Sequence, residues 1–133
     1  MTGRFARILF TVWVLLIVSL SLVPLKVKFH LGTTGRWHNA GHLFMFFVAT
    51  VLACRMVNGI YAKLTGCVAL VGVAFTMEWV EMVSYHIPYE WRDIRFDCTG
   101  ILCGVLLLLL PSSSGIKAAA EVAAAETTVS KIQ

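Results

Sequence analysis

Charged residues are scarce in this chain of 133 residues, and that scarcity decides its broad class. Only 14% of the residues are Asp, Glu, Lys or Arg, whereas 59% are hydrophobic and the mean hydropathy is +0.83. Soluble domains are typically about a quarter charged and about half apolar, so this composition argues against a water-soluble globule. The apolar residues also occur in long blocks, which predicts a protein with several membrane-spanning helices.

Other features are missing as well, and each absence argues against a class of protein. The four cysteines show no Cys-x-x-Cys spacing, so we expect reduced thiols that pack as small hydrophobic groups. No Ser or Cys nucleophile motif accompanies the acidic residues described below. The Lys and Arg residues lie at the edges of the apolar blocks and form no basic patch with interleaved aromatics, so no nucleic-acid partner is expected.

Four apolar spans predict an all-α fold, a bundle of four transmembrane helices. The first three are expected at about Ile8–Leu25, His38–Val57 and Ile60–Val83. Asn58 and Gly59 predict a tight turn between the second and third spans. The apolar stretch of the fourth, Ile101–Leu110, would cover only about 15 Å, about half the hydrocarbon thickness. To cross, this helix must begin near Ile94.

The chain divides into a membrane domain and a tail. Residues 1–111 are predicted to form the four-helix domain, and Pro111 is expected to end the last helix. Residues 112–133 are rich in Ser and Ala with scattered charges, which predicts a disordered or transiently helical tail. Arg4 and Arg7 precede a first span that is long for a signal peptide, so we expect an uncleaved helix with both termini in the cytoplasm. The expected location is the inner (plasma) membrane.

Ionisable residues at the ends of three spans are the candidate functional residues. Counting crossings brings the start of span two, the end of span three and the start of span four to one membrane face. The candidate cluster is His42, Glu78, Glu81, Asp93 and Asp97, with His38, Asn39, Arg92, Gly100 and Gly104 in support. A carboxylate inside a bilayer costs roughly 3 kcal/mol on insertion scales, so such residues are rare and usually functional.

Helical spacing predicts that these acids face the interior of the bundle. Each ionisable stripe continues into small residues, as in Asp93, Asp97, Gly100 and Gly104 on span four. On span two the stripe that carries the histidines continues with alanines. On span three Ala74 lies on the same face as the two glutamates. Small residues mark faces where membrane helices approach closely.

Several roles for the cluster stay open at the level of sequence. Glu78 could pin helices by bonding to His42 or Arg92, or it could handle a substrate, a headgroup or a proton. Two histidines spaced i, i+4 beside carboxylates could also ligate zinc or manganese, although the default expectation is no metal and no other cofactor. Arg92, with the aromatic residues around it, is either an interfacial anchor or a clamp for anionic headgroups. No residue is assigned as catalytic.

The polar positions, taken in order, resemble the VanZ-like family of small polytopic membrane proteins. That family tends to open one helix with Asp-Lys-x-x-His, to close the next with Glu-x-x-Gln and to open the last with Asp-x-x-x-Asn-x-x-Gly. The corresponding residues here that match are His42, Glu78, Asp93, Gly100 and Gly104. The residues that differ are His38, Asn39, Glu81 and Asp97, and they make this cluster more acidic than the usual pattern.

The resemblance implies a protein of the bacterial cell envelope, since the family is named for a protein associated with teicoplanin resistance. The leading hypothesis is therefore a VanZ-like integral membrane protein that engages a polar or charged group near the outer membrane face. Its expected partners are the lipid bilayer and a lipid headgroup or cell-wall-related ligand, and a homo-oligomer is left open. The alternatives are a membrane-embedded hydrolase, acid-base or metal-assisted, acting on a lipid-linked substrate, and a small proton-coupled transporter.

Overall fold

Four α-helices account for most of the chain in a computed structural model that describes residues 3–24, 27–28 and 36–110. In chain order they are α1 (Gly3–Ser21), α2 (Arg36–Met56), α3 (Ile60–Tyr85) and α4 (Trp91–Leu109). The described residues contain no β-strand. The prediction of an all-α four-helix bundle is therefore confirmed, whereas the predicted tail at residues 112–133 lies outside the described residues, as does Pro111.

Three of the helices are long and apolar enough to cross a membrane. The qualifying segments are Arg4–Ser21, Trp37–Met56 and Ile60–Tyr85. Large apolar side chains cover much of their exposed surface, among them Ile8, Leu15, Phe44, Leu64 and Val68. Such a surface suits contact with lipid acyl chains better than contact with water. α4 has 19 residues, but four charged residues occupy its first two turns: Arg92, Asp93, Arg95 and Asp97.

Turn residues set the ends of the helices. α1 ends at Ser21, short of the predicted Leu25, because Pro24 disfavours a helical conformation in the residue before it. Residues 57–59 join α2 to α3 as predicted, and Gly59 has a φ of 91°, which glycine adopts at little cost. His86 ends α3 with a left-handed φ of 55°.

α2 is the central helix, because it packs against each of the other three. α4 makes the most extensive contact with it, and α1 packs against it as well, whereas α1 and α3 barely touch each other. The buried apolar core consists of Ile17, Phe46, Ala49, Ala53, Leu70, Ala74, Ile94 and Ile101. This arrangement leaves a gap between α1 and α3, with α2 behind it.

α2 and α4 approach each other through the two glycines that the sequence singled out. A Cβ atom added to Gly100 would collide with the backbone carbonyl oxygen of Leu43, and it would lie 3.0 Å from the amide nitrogen of Phe47. At Gly104 it would lie 2.8 Å from the Cβ atom of Thr50. The prediction that Gly100 and Gly104 mark a close helix contact is confirmed.

Candidate functional site

Two histidine–aspartate pairs join the start of α2 to the start of α4. His38 Nε2 lies 2.9 Å from Asp93 Oδ2, and His42 Nδ1 lies 2.9 Å from Asp97 Oδ1. His42 Nε2 is also 3.9 Å from Asp93 Oδ2. The two histidines are spaced i, i+4 on α2 and the two aspartates i, i+4 on α4, so the two contacts lie one helical turn apart. Both aspartates are only 3% exposed.

A buried ion pair links the segment after α1 to the end of α3. Lys28 Nζ lies 2.9 Å from Glu81 Oε2, and both residues are buried. The ammonium group also lies 5.9 Å from the centre of the Tyr85 ring. Sequence reasoning missed Lys28 as a member of the cluster, because a residue in a connection has no helical phase from which a partner could be inferred. The one feature of the sequence that points to burial of Lys28 is its position among apolar residues just beyond the first span.

Glu78 is buried on the inner face of α3 without an ion pair among the described residues. Its carboxylate accepts a hydrogen bond from the backbone amide of Glu90, in the connection to α4. Partial burial and the nearby Glu78 charge raise the pKa of Tyr89, which lies in the same connection. The two expected partners of Glu78 are engaged elsewhere or exposed: His42 bonds to Asp97, and Arg92 lies 3.8 Å from the Glu90 carboxylate.

A pocket of about 460 Å³ occupies the gap between α1 and α3. Its apolar wall includes Leu20, Phe46 and Met77. At one end six ionisable side chains of the part of the chain that the structure describes reach it: Lys28, His38, His42, Glu78, Glu81 and Asp97. Apolar walls with a few converging polar groups are the usual composition of a small-molecule site. The pocket could therefore hold a molecule with one apolar and one polar part.

The structure brings most of the predicted site residues together. Four of them line the pocket, namely His42, Glu78, Glu81 and Asp97. The fifth, Asp93, contacts His38, which also lines the pocket. The carboxamide oxygen of Asn39 is buried without a hydrogen-bond partner among the described residues. Gly100 and Gly104 lie at the helix contact, and the exposed side chain of Arg92 lies apart from the cluster.

The balance of charge in the cluster is acidic. Among the described residues the cluster contains four buried carboxylates, one buried lysine and two histidines that can each carry a proton; the carboxylates are those of Glu78, Glu81, Asp93 and Asp97. Three of these residues could also hold a cation: His38, His42 and Asp93 offer ligand atoms that lie within 4.8 Å of one another. The arrangement therefore favours a positively charged or hydrogen-bond-donating ligand over an anion.

No protein-family model, no curated protein and no solved structure shows a significant match to this chain. The resemblance to the VanZ-like family accordingly stays a prediction that rests on the residues matched in the sequence.

Proposed function

We propose that this protein is a VanZ-like integral membrane protein of the cell envelope whose pocket binds the polar head of an amphiphilic molecule. In this proposal α4 is the fourth crossing, so both termini lie on the same side of the inner (plasma) membrane. Arg4 and Arg7 lie at the N-terminal end of α1 and favour a cytoplasmic location for the termini. The ionisable end of the pocket then opens at the outer face.

The observation that carries the proposal is the position of the Glu78 carboxylate. It lines a pocket with largely apolar walls, and it takes part in none of the ion pairs among the described residues. A buried charge is costly unless it is paired or well hydrogen-bonded, and the Glu90 amide supplies one hydrogen bond. A bound ligand that supplies the missing positive charge would remove this cost.

The remaining charges narrow the chemistry of that ligand. Lys28 pairs with Glu81, and the two histidines contact the two aspartates, so among the described residues Glu78 is the buried carboxylate without a positively charged partner. An ammonium group would complement it, while an acyl chain could lie along the apolar wall formed by residues such as Leu20 and Phe46. A lipid headgroup that carries an ammonium is therefore favoured over an anionic headgroup.

Glu78→Gln should weaken the binding of short-chain phosphatidylethanolamine about thirtyfold, because losing one partner of a desolvated charge pair costs at least about 2 kcal/mol. Native mass spectrometry of the detergent-solubilised protein would measure the bound fraction across a lipid titration. Phosphatidylglycerol, which lacks the ammonium, should bind weakly to both proteins.

Glu90→Gln is the matched control, since it makes the same chemical change on a nearby exposed residue. It should leave phosphatidylethanolamine binding unchanged. Equal binding of this lipid by the wild type and Glu78→Gln would overturn the assignment of Glu78, and a preference for phosphatidylglycerol would overturn the selectivity for a headgroup that carries an ammonium.

A further inference from the structure

We infer that His38, His42 and Asp93 form a binding site for a divalent transition-metal ion where the first turns of α2 and α4 meet. Each of the three residues offers a ligand atom, and these atoms all lie within 4.8 Å of one another. Imidazole nitrogen and carboxylate oxygen are the ligands that zinc and its neighbours in the first transition series accept. The inference does not depend on the ligand of Glu78, because metal binding can be measured in its absence.

The distances between the ligand atoms are close to those around a bound ion. Asp93 Oδ2 lies 2.9 Å from His38 Nε2 and 3.9 Å from His42 Nε2. Around a tetrahedral zinc ion with bonds of about 2.0–2.2 Å, ligand atoms lie roughly 3.3–3.5 Å apart. Small side-chain rotations would therefore bring all three atoms into coordination without moving either helix.

Asp97 orients His42 in the way that metal-binding histidines are usually oriented. If His42 Nδ1–H donates to Asp97 Oδ1, across their 2.9 Å contact, then Nε2 is left with its lone pair directed away from Asp97. That Nε2 atom is the one that lies 3.9 Å from Asp93. Asp97 is accordingly a positioning residue, not a ligand.

A second and independent observation is an unpartnered oxygen on Asp93. The residue is 3% exposed, and its Oδ1 atom has no hydrogen-bond partner among the described residues. Buried carboxylate oxygens normally have partners, so an orphaned one needs an explanation. A metal ion bound by both oxygens of this carboxylate would satisfy Oδ1, and its two positive charges would balance Asp93 and Asp97.

The site would leave a coordination position directed towards the pocket, because His38 and His42 both line it. Three protein ligands with a fourth position open to water or substrate are typical of catalytic zinc sites, whereas structural sites have four protein ligands. A bound metal would therefore give the pocket a Lewis acid, as the metal-assisted hydrolase alternative requires.

Metal loading of the purified full-length protein tests the inference. The detergent-solubilised protein is stripped with a chelator, incubated with Zn²⁺ or Co²⁺, desalted and analysed for metal content. We expect about one ion per chain, and a visible absorption band from Co²⁺ in a tetrahedral site. A wild-type protein that retains no stoichiometric metal and gives no such band would overturn the inference without any variant.

Variants then assign the ligands. His42→Asn and Asp93→Asn should abolish stoichiometric binding, and Asp97→Asn should weaken affinity about 10–100-fold, as the loss of an orienting partner does. His86→Asn is the matched control, since it changes an exposed histidine whose left-handed φ asparagine tolerates, and it should bind like the wild type. Unchanged binding by His42→Asn or Asp93→Asn, or its loss in His86→Asn, would contradict the assignment.

Discussion

Lys28→Met should lower the free energy of unfolding by about 3 kcal/mol, because breaking a buried ion pair leaves the other charge buried and unpaired. Lys28 and Glu81 are both buried, and their charged atoms are 2.9 Å apart. Removal of the ammonium leaves the Glu81 carboxylate facing a pocket with apolar walls. Titration with a denaturing detergent in mixed micelles would measure the change.

Two further variants separate the unpaired charge from the loss of the lysine side chain. Lys28→Met combined with Glu81→Leu should recover most of the lost stability, because replacing both partners of a buried pair by apolar residues is often neutral. Lys63→Met, near the opposite end of α3, should change stability by no more than about 0.5 kcal/mol. If the single and double variants at this pair lost equal stability, the ion pair would not be the cause.

Gly100→Ala should destabilise the bundle by about 1–3 kcal/mol, the usual cost of overpacking a tight contact. The added methyl group would collide with the Leu43 carbonyl, which belongs to the backbone of α2 and cannot move alone. The same denaturation measurement would give the change in stability. Gly100→Leu should destabilise the bundle more than Gly100→Ala, because its side chain is larger.

The other helical glycines provide a graded control. Gly104→Ala should cost less than Gly100→Ala, because the new methyl group would lie 2.8 Å from its nearest neighbour, Thr50 Cβ, whereas at Gly100 it would overlap the Leu43 carbonyl oxygen more severely. Gly72→Ala should be neutral or stabilise by up to about 1 kcal/mol, since alanine is the better helix former and no atom lies within 4 Å of the new group. A flat response across the three positions would contradict the close approach of α2 and α4.

Helical periodicity predicted the helices and their inner faces well, because the apolar blocks and turn residues are strong local signals. Three of the four buried residues on α3, namely Ala74, Glu78 and Glu81, lie on the stripe predicted from spacing, whereas the fourth, Leu70, does not. The burial of Asp93 and Asp97 together with Gly100 and Gly104 on α4 also follows from spacing. These features depend on the position of each residue within its own helix.

The pairing of side chains across helices could not be predicted from the sequence. Spacing gives the face of a helix but not the height or rotation of its neighbour, and these decide that Asp97, and not Glu78, contacts His42. Lys28 lies outside any helical pattern visible in the sequence. The pocket itself depends on how far α1 stands from α3, which no motif encodes.

The central claim is that the ionisable cluster opens to the outer membrane face, and thiol labelling of intact cells tests it most directly. In a variant that lacks the native Cys54, Cys67, Cys98 and Cys103, a single cysteine is introduced as Glu78→Cys or as Asn58→Cys. A small membrane-impermeant cationic thiol reagent should modify position 78 from outside the cell. It should modify position 58, at the opposite end of the bundle, only after permeabilisation. Modification of position 78 only after permeabilisation, or of position 58 from outside, would contradict the account.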